Sequence, residues 1–491
     1  MSLTTLLCLA ATLHVGPNFP FPSLSSAIAV VTPGDTIEIH EGIYAGGQFF
    51  ENVKGTADQW ITIRGAAGEN AVFEGGTNAI HFVEPAYLHL KNITFQHQTG
   101  NGLNTDDGGT YDTPTHHIVY ESCTFKDMAA TGNNDLLKLS GLDFFEIRNC
   151  TFINGAAGGS GIDMVGCHYG LIQGNRFENL GSNAIQCKGG TQQIRIEANA
   201  FKNAGARALN LGGSTGLAFF RPDTAHYEAA NLQVYSNVFT GSEAPIAYVG
   251  SVNVDVANNT FYLPGKWVIR ILQETVDPDR FVSCGDNFFR NNIIYLGNLP
   301  TETNIGPNTR PESFTFRNNL WFNYLNSTWS GPDIPVPDPF EILNQDPLLA
   351  NAAAGNFDIP GNSPAAAAGQ ATGQPERDFH EQLFASPPSV GAVEANPVSN
   401  TSIPQQSPFG VFPNPFSEFF YLSANQMLAR EFTLEIYRLD GCLLLQKKLT
   451  PDIALHEINA ANMPAGPLMV VIHSQGQSAT LFAKIILKSG H

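Results

Sequence analysis

Residues 171–201 read LIQGNRFENLGSNAIQCKGGTQQIRIEANAF and contain one complete structural period. Asn175-Arg176-Phe177 opens the period and Asn199-Ala200-Phe201 closes it. Between them lie two short stretches, AIQCK and QIRIE, in which apolar and polar residues alternate. A period of two is the signature of a strand with one buried face. Gly-rich turns separate the stretches, so the unit is a coil of short strands. Working outward, the same closing aromatic recurs as NITF at Phe95, SCTF at Phe125, NCTF at Phe152, NVF at Phe239 and NTF at Phe261, with weaker copies at Ile293 and Leu320. The steps between aromatics are about 30, 27, 25, 24, 38 and 22 residues, in the range of β-solenoid coils. Two residues before the aromatic stands Asn175, Asn199, Asn237 or Asn259, continued at Asn291 and Asn318. Amides stacked at one turn hydrogen-bond from coil to coil and satisfy buried polar groups. The chain is therefore expected to be all-β, a right-handed parallel β-helix over residues 14–360.

Alternation also decides what faces outward. The frame Leu137-Lys138-Leu139 aligns with Ile162-Asp163-Met164, Ile185-Gln186-Cys187, Leu209-Asn210-Leu211, Ile246-Ala247-Tyr248 and Ile269-Arg270-Ile271. Upstream it aligns with Ile80-His81-Phe82 and Leu103-Asn104-Thr105. The outward column is then His81, Asn104, Lys138, Asp163, Gln186, Asn210, Ala247 and Arg270. A second column two residues on holds Asp106, Ser140, Lys188 and Gly212. At about 4.8 Å per strand, six polar residues span roughly 25 Å. Amides, a Lys and carboxylates, flanked by small Gly-rich loops such as TDDGG and LGGSTG, suit an open groove for several sugar units better than a merely solvated face.

The ends of the chain differ. Residues 3–12 (LTTLLCLAAT) have the length of a signal-peptide apolar segment but no preceding Lys or Arg, so residues 1–13 read either as that or as a cap strand. Residues 24–32 form an amphipathic stretch expected as a capping helix, and residues 361–408 are an Ala-, Pro- and Ser-rich linker. Residues 409–491 carry alternating strands separated by turns and are expected to form a small β-sandwich. A net charge of −19 argues against nucleic acid, and no apolar run is long enough to span a membrane. Seven cysteines without metal-site spacing are expected mostly as small buried hydrophobes, Cys123 and Cys150 at equivalent places in neighbouring coils.

Two resemblances bear on function. Pro413-Asn414-Pro415, Leu439-Asp440-Gly441, Pro464-Ala465-Gly466, Lys484 and Lys488 resemble, in order, the pattern of the type IX secretion C-terminal sorting domain. This implies export across the outer membrane of a Bacteroidetes-type bacterium through the type IX machinery, to the cell surface or beyond. The Asn column resembles the asparagine ladder of pectate-lyase-like β-helices. Within that group, NTDDGG (residues 104–109) followed by NNDLLKLSG around Lys138 resembles the family 9 polysaccharide lyases, where a DDG motif supplies calcium ligands and a Lys abstracts a proton. The resemblance implies Lys138 as base and Ca2+ held by Asp106, Asp107 and Asp163. The family's further aspartate is missing at its usual distance, and Asp163 is the best substitute.

Such a set suits β-elimination on a uronic acid. Removing the proton beside a carboxylate builds up negative charge, which a hard cation on oxygen ligands stabilises. The base must be neutral, so Lys138 needs a lowered pKa; the alternative reading of Lys138 is a salt bridge to Asp163 one coil away. Asp163 and Arg270 are its expected catalytic companions. His81, Asn104, Gln186, Lys188, Arg207 and Asn210 are expected to bind an anionic polysaccharide, with the protein a monomer. Three alternatives stay open. In a glycoside hydrolase, NTDDG would resemble the NTD segment of polygalacturonases with Asp135 as partner, although their GHG and RxK signatures are absent. A C5 epimerase would share the proton abstraction, and a surface adhesin would only bind. His116, His117 and His168 are candidate accessory acids.

Overall fold

The computed structural model describes residues 10–110, 113–395, 409–412, 416–424, 432–438, 442–449, 455–474 and 480–488. The chain divides into two compact units, residues 1–398 and 399–491.

The first unit is a parallel β-helix of three long sheets with 10, 14 and 12 strands among the described residues. Each coil gives one strand to each sheet, and every pairing between coils is parallel. Alternation is the reason. Leu137, Leu139, Ile162, Met164, Ile185, Cys187, Leu209 and Leu211 are fully buried, and the residues between them turn away from the core. On the third sheet the inward aromatics stack face to face, from Phe125 through Phe152, Phe177, Phe201 and Phe239 to Phe261, with ring centroids 4.6–4.9 Å apart. That spacing is the separation between strands, so each ring covers the next.

The amide column forms as expected at Asn175, Asn199, Asn237 and Asn259, each Nδ2 donating to the next Oδ1 at 2.9–3.0 Å. Its continuation is corrected by one residue. Asn292 and Asn319 occupy the ladder, not Asn291 and Asn318, and Asp338 ends it. The reason is register: Phe261 pairs with Ile294 and then Trp321, not with Ile293 and Leu320. Upstream, the Cys150 amide donates to Asn175 Oδ1, so thiols take over the column where the amides stop. Cys123, Cys150, Cys167, Cys187 and Cys284 are buried free thiols, and Cys442 is exposed. Burial pushes Cys167 up to about 12 and Cys284 up to about 11.

At the N-terminal end, Thr12–Val15 is a strand paired with Thr36–Ile39. Residues 1–9 lie outside the described residues. Leu24–Ile28 is a short helix capped by Ser23, with Leu24 and Ala27 buried. At the other end, residues 361–395 are corrected from linker to packed structure. Ile359, Ala365 and Val390 bury against Ile293 and Leu320, and Asn258 and Asn291 bond the Ser389 and Gln370 carbonyls. Small Ala side chains let this run lie close along the helix flank. Residues 396–408 lie outside the described residues.

The second unit is antiparallel. Phe409–Phe412, Phe419–Ala424 and Leu455–Asn459 make one sheet; Leu443–Leu449, Phe432–Arg438, Gly466–Ser474 and Thr480–Lys488 make the other. Phe420, Leu434, Ile436, Val470 and Ile486 share its core. Lys488 is buried, and its Nζ donates to the carbonyls of Ala460, Ala461 and Met463. The motif residues 413–415 and 439–441 lie outside the described residues.

Candidate active cleft

The groove sheet keeps the predicted register strand for strand. His81, Asn104, Lys138, Asp163, Gln186, Asn210, Ala247 and Arg270 are successive cross-strand partners, preceded by Phe49 and followed by Asn304. A cleft of about 860 Å³ opens over this sheet, lined by Phe49, His81, Asp106, Lys138, Lys188 and Phe219 among others. The segment 214–221 walls one side, so the groove is narrower than its Gly-rich loops suggest.

Lys138 sits at the centre. Its Nζ bonds Asp163 Oδ2 and lies 3.7 Å from Asp135 Oδ2. Lys188 meets the other oxygen of Asp163 at 3.1 Å and Gln186 Oε1 at 3.3 Å. Asp163 and Asp135 are almost fully buried. Burial alone would lower the Lys138 pKa, but the charges of Asp163 and Asp135 outweigh it and hold the ammonium above its ordinary value. This reverses the lowered pKa expected from sequence. Burial and the neighbouring Asp163 push Asp135 up to about 6.

The acidic turn is organised differently from the expected metal site. His81 Nε2 is 2.6 Å from Asp106 Oδ2, and Asn104 donates to the same oxygen at 3.1 Å. Asp107 is buried and accepts from the Gly109 amide at 2.9 Å, and burial raises its pKa. Its Oδ2 packs so close to Gly141 that an added Cβ would lie 2.1 Å away. Asp106, Asp107 and Asp163 do not converge on a shared point, and both Asp163 oxygens are engaged by lysines. These residues do not fit Ca2+ in this arrangement.

Arg270 is corrected as a companion of Lys138. It lies five strands along, roughly 24 Å at about 4.8 Å per strand. There it bonds Asn304 and rests over the Trp267 ring at 4.7 Å. Arg207 bonds Asn210 at 3.0 Å and Glu274 at 2.8 Å, and Asn210 is buried. His116 and His117 sit on the neighbouring sheet among Tyr87 and Phe144, away from the cleft lining. His168 is buried against Asp143 and the Arg221 carbonyl.

Sequence reasoning missed Phe49, Phe219 and Arg221. Phe49 precedes the first clear coil, but its place two residues after Gly47 in an alternating strand was a readable signal. Arg221 reaches the cleft from a loop and forms a forked pair with Asp143, at 2.8 and 2.7 Å. No periodicity announces such a contact.

Comparison with known proteins agrees with this architecture. Residues 69–261 match the family model described as right handed beta helix region, and residues 410–488 match the secretion system C-terminal sorting domain. The protein is a right-handed parallel β-helix exported by type IX secretion. Its place is the cell surface or the extracellular space. Among solved structures, pectate lyase Pel9A is similar at 17% identity and a TM-score of 0.54, covering 79% of this chain and 96% of that one. An alginate lyase from Paenibacillus sp. str. FPU-7 is 17% identical with a TM-score of 0.38, covering 64% of this chain and 99% of that one. At 17% identity the likeness to pectate lyase Pel9A is one of fold. A search of curated proteins found no match.

Proposed function

We propose that this secreted β-helix binds an acidic polysaccharide along the cleft and cleaves it by β-elimination, with Lys138 as the base. The observation that carries the reading is placement: Lys138 stands mid-column in an open cleft, with Lys188 and His81 beside it in a chain of net charge −19. Local cations of this kind let an acidic polymer approach an acidic protein. Neutral Lys138 Nζ takes the proton α to the uronate carboxylate. The electron pair left on carbon forms the new double bond as the glycosidic C–O bond at the β carbon breaks, and the departing oxygen takes up a proton from solvent. Lys188 faces the substrate carboxylate, and the exposed rings of Phe49 and Phe219 give apolar surface for sugar faces. Because Asp163 and Asp135 favour the ammonium, this chemistry belongs at alkaline pH. The rate should climb through a lysine-like pKa above the ordinary value.

Absorbance near 235 nm on a panel of uronate polysaccharides, scanned from neutral to alkaline pH, tests the reading. Unsaturated product rising with pH supports it. Reducing ends without absorbance would instead support a hydrolase using Asp135 and Asp163. The paired state of Lys138 favours one second reading, a glycan-binding surface protein in which the ammonium only recognises carboxylates. Saturable binding of a uronate polymer with no product would establish that.

A further inference from the structure

A second cluster lies far from the cleft, where the β-helix begins. His14 is on the strand Thr12–Val15, which among the described residues pairs with Thr36–Ile39, the strand that carries Glu38 and leads into His40. His14 and Glu38 are direct cross-strand partners. His14 Nδ1 lies 3.0 Å from His40 Nε2 and 3.4 Å from Glu38 Oε1, and the three atoms all fall within 4.8 Å of one another. Among the described residues, this is the one group of three such side chains that converges.

The outer contacts make the cluster more than a coincidence of side chains. His40 Nδ1 faces both oxygens of Glu69, at 3.3 and 3.2 Å. An Nδ1–H donated to that carboxylate leaves Nε2 with a lone pair aimed at His14. Glu38 gives its other oxygen to Arg64 at 2.8 Å, which leaves Oε1 turned toward the imidazoles. The Phe19 ring lies flat on His40, centroid to centroid 3.6 Å, and fixes its plane. A carboxylate that orients a ligating His through its far nitrogen is the usual outer support of a metal site. Glu38, Glu69 and Arg64 leave the cluster with an excess of negative charge for a cation.

We propose that His14, Glu38 and His40 bind a divalent transition ion of the Zn2+ class, with a fourth position open to water. Two imidazoles and one carboxylate are a known zinc donor set, and tetrahedral bonds of about 2.0–2.1 Å separate ligand atoms by roughly 3.3 Å. The observed 3.0 and 3.4 Å separations lie close to that value, and His40 and Glu38, whose ligand atoms lie within 4.8 Å, would have to draw together on the ion. Calcium is the wrong ion, since imidazole suits softer cations than Ca2+. The ion would clip the strand Thr12–Val15 to the coil beneath it.

The test is zinc titration of the metal-stripped full chain by calorimetry, repeated with Co2+ for its absorption spectrum. Wild-type protein should bind one more equivalent than His14→Ala or His40→Ala, and its Co2+ form should show ligand-field bands that both variants lack. Glu69→Gln, which touches no ion, should weaken binding about 10–100-fold with unchanged circular dichroism. Zinc should also slow amide exchange in residues 12–15. Equal stoichiometry in all proteins, or no saturable binding, would mean that the two imidazoles merely hydrogen-bond to each other, and the site falls. If the His variants lose their fold, Glu38→Gln decides: a loss of about tenfold or more sustains the site and unchanged affinity overturns it.

Discussion

Two polar columns run through the same coils, and they are built on opposite plans. The turn column repeats one residue: from Asn175 through Asn199, Asn237, Asn259 and Asn292 each side chain donates to the next, ending at Asn319, which donates to Asp338. The groove column changes at every step, from His81 to Asn104, Lys138, Asp163 and Gln186. Repetition works in the first case because every coil presents the same need, a buried turn with donors to satisfy. A column that varies coil by coil answers no such common need. Its residues pair locally, Lys138 with Asp163 and His81 with Asp106 of the parallel column, and His81 and Lys138 line the cleft while Asp163 lies buried beneath it. Uniformity here serves the fold, and the variety of the groove column is what the proposed chemistry would draw on.

The sharpest way to break this contrast is at Lys138. If the groove column is chemical, Lys138→Ala should cost about 10²–10⁴-fold in elimination rate. Lys138→Arg should fail as well, because a guanidinium keeps its proton. Asp163 retains Lys188 as partner, so the folded state should survive, as circular dichroism would show. An active protein whose Lys138→Ala variant keeps more than about a tenth of the rate has its base elsewhere.

The ladder should respond in stability instead. Asn237→Ala removes the acceptor for the Asn199 amide and side chain and the donor to the Ile196 carbonyl, all buried. At about 1–3 kcal/mol for each stranded buried group, a loss of at least about 3 kcal/mol is expected from denaturant unfolding. Gln186→Ala, one column over, should change stability by less than about 0.5 kcal/mol. Similar costs at the two positions would erase the distinction drawn between them.

A smaller effect appears with pH. Asp135 is raised to about 6 in the folded protein, so between its unfolded value near 4 and that value the folded state holds more protons than the unfolded one. Its contribution therefore falls as pH rises from about 4 to 6. Asp135→Asn should flatten that part of the melting-temperature profile, and an unchanged slope would assign it to other groups. The smallest effect concerns the second unit. Deleting residues 399–491 should leave the thermal midpoint of the β-helix unchanged while abolishing export, and a clear fall in midpoint would show that the two units depend on each other.

Much of the β-helix and its groove is legible in the amino-acid sequence alone. Period-two alternation places every groove residue in its true register, because a one-residue slip would put Lys138 or Asp163 into the core. The ladder loses its register at Asn291 and Asn318 for a related reason. There the repeat offers two apolar residues in a row, Ile293-Ile294 and Leu320-Trp321, and pattern alone does not say which points inward. Side-chain pairing is legible only in part: the register offers the Lys138–Asp163 salt bridge, but not the hold of Lys188 on the other Asp163 oxygen. The capture of both Asp163 oxygens by Lys138 and Lys188 depends on reach across coils, and it is why the expected calcium set and lowered lysine pKa do not appear. Arg221 escapes notice because its partner, Asp143, lies 78 positions away on another sheet.

The five buried thiols carry a consequence for life outside the cell. A thiolate is the form that reacts with oxidants and disulfides, and burial keeps Cys167 and Cys284 far from ionising. Core packing in this unit therefore does what cross-links do in many small secreted domains. The coils should tolerate reductant, with their five buried cysteines silent to thiol reagents until the coils come apart.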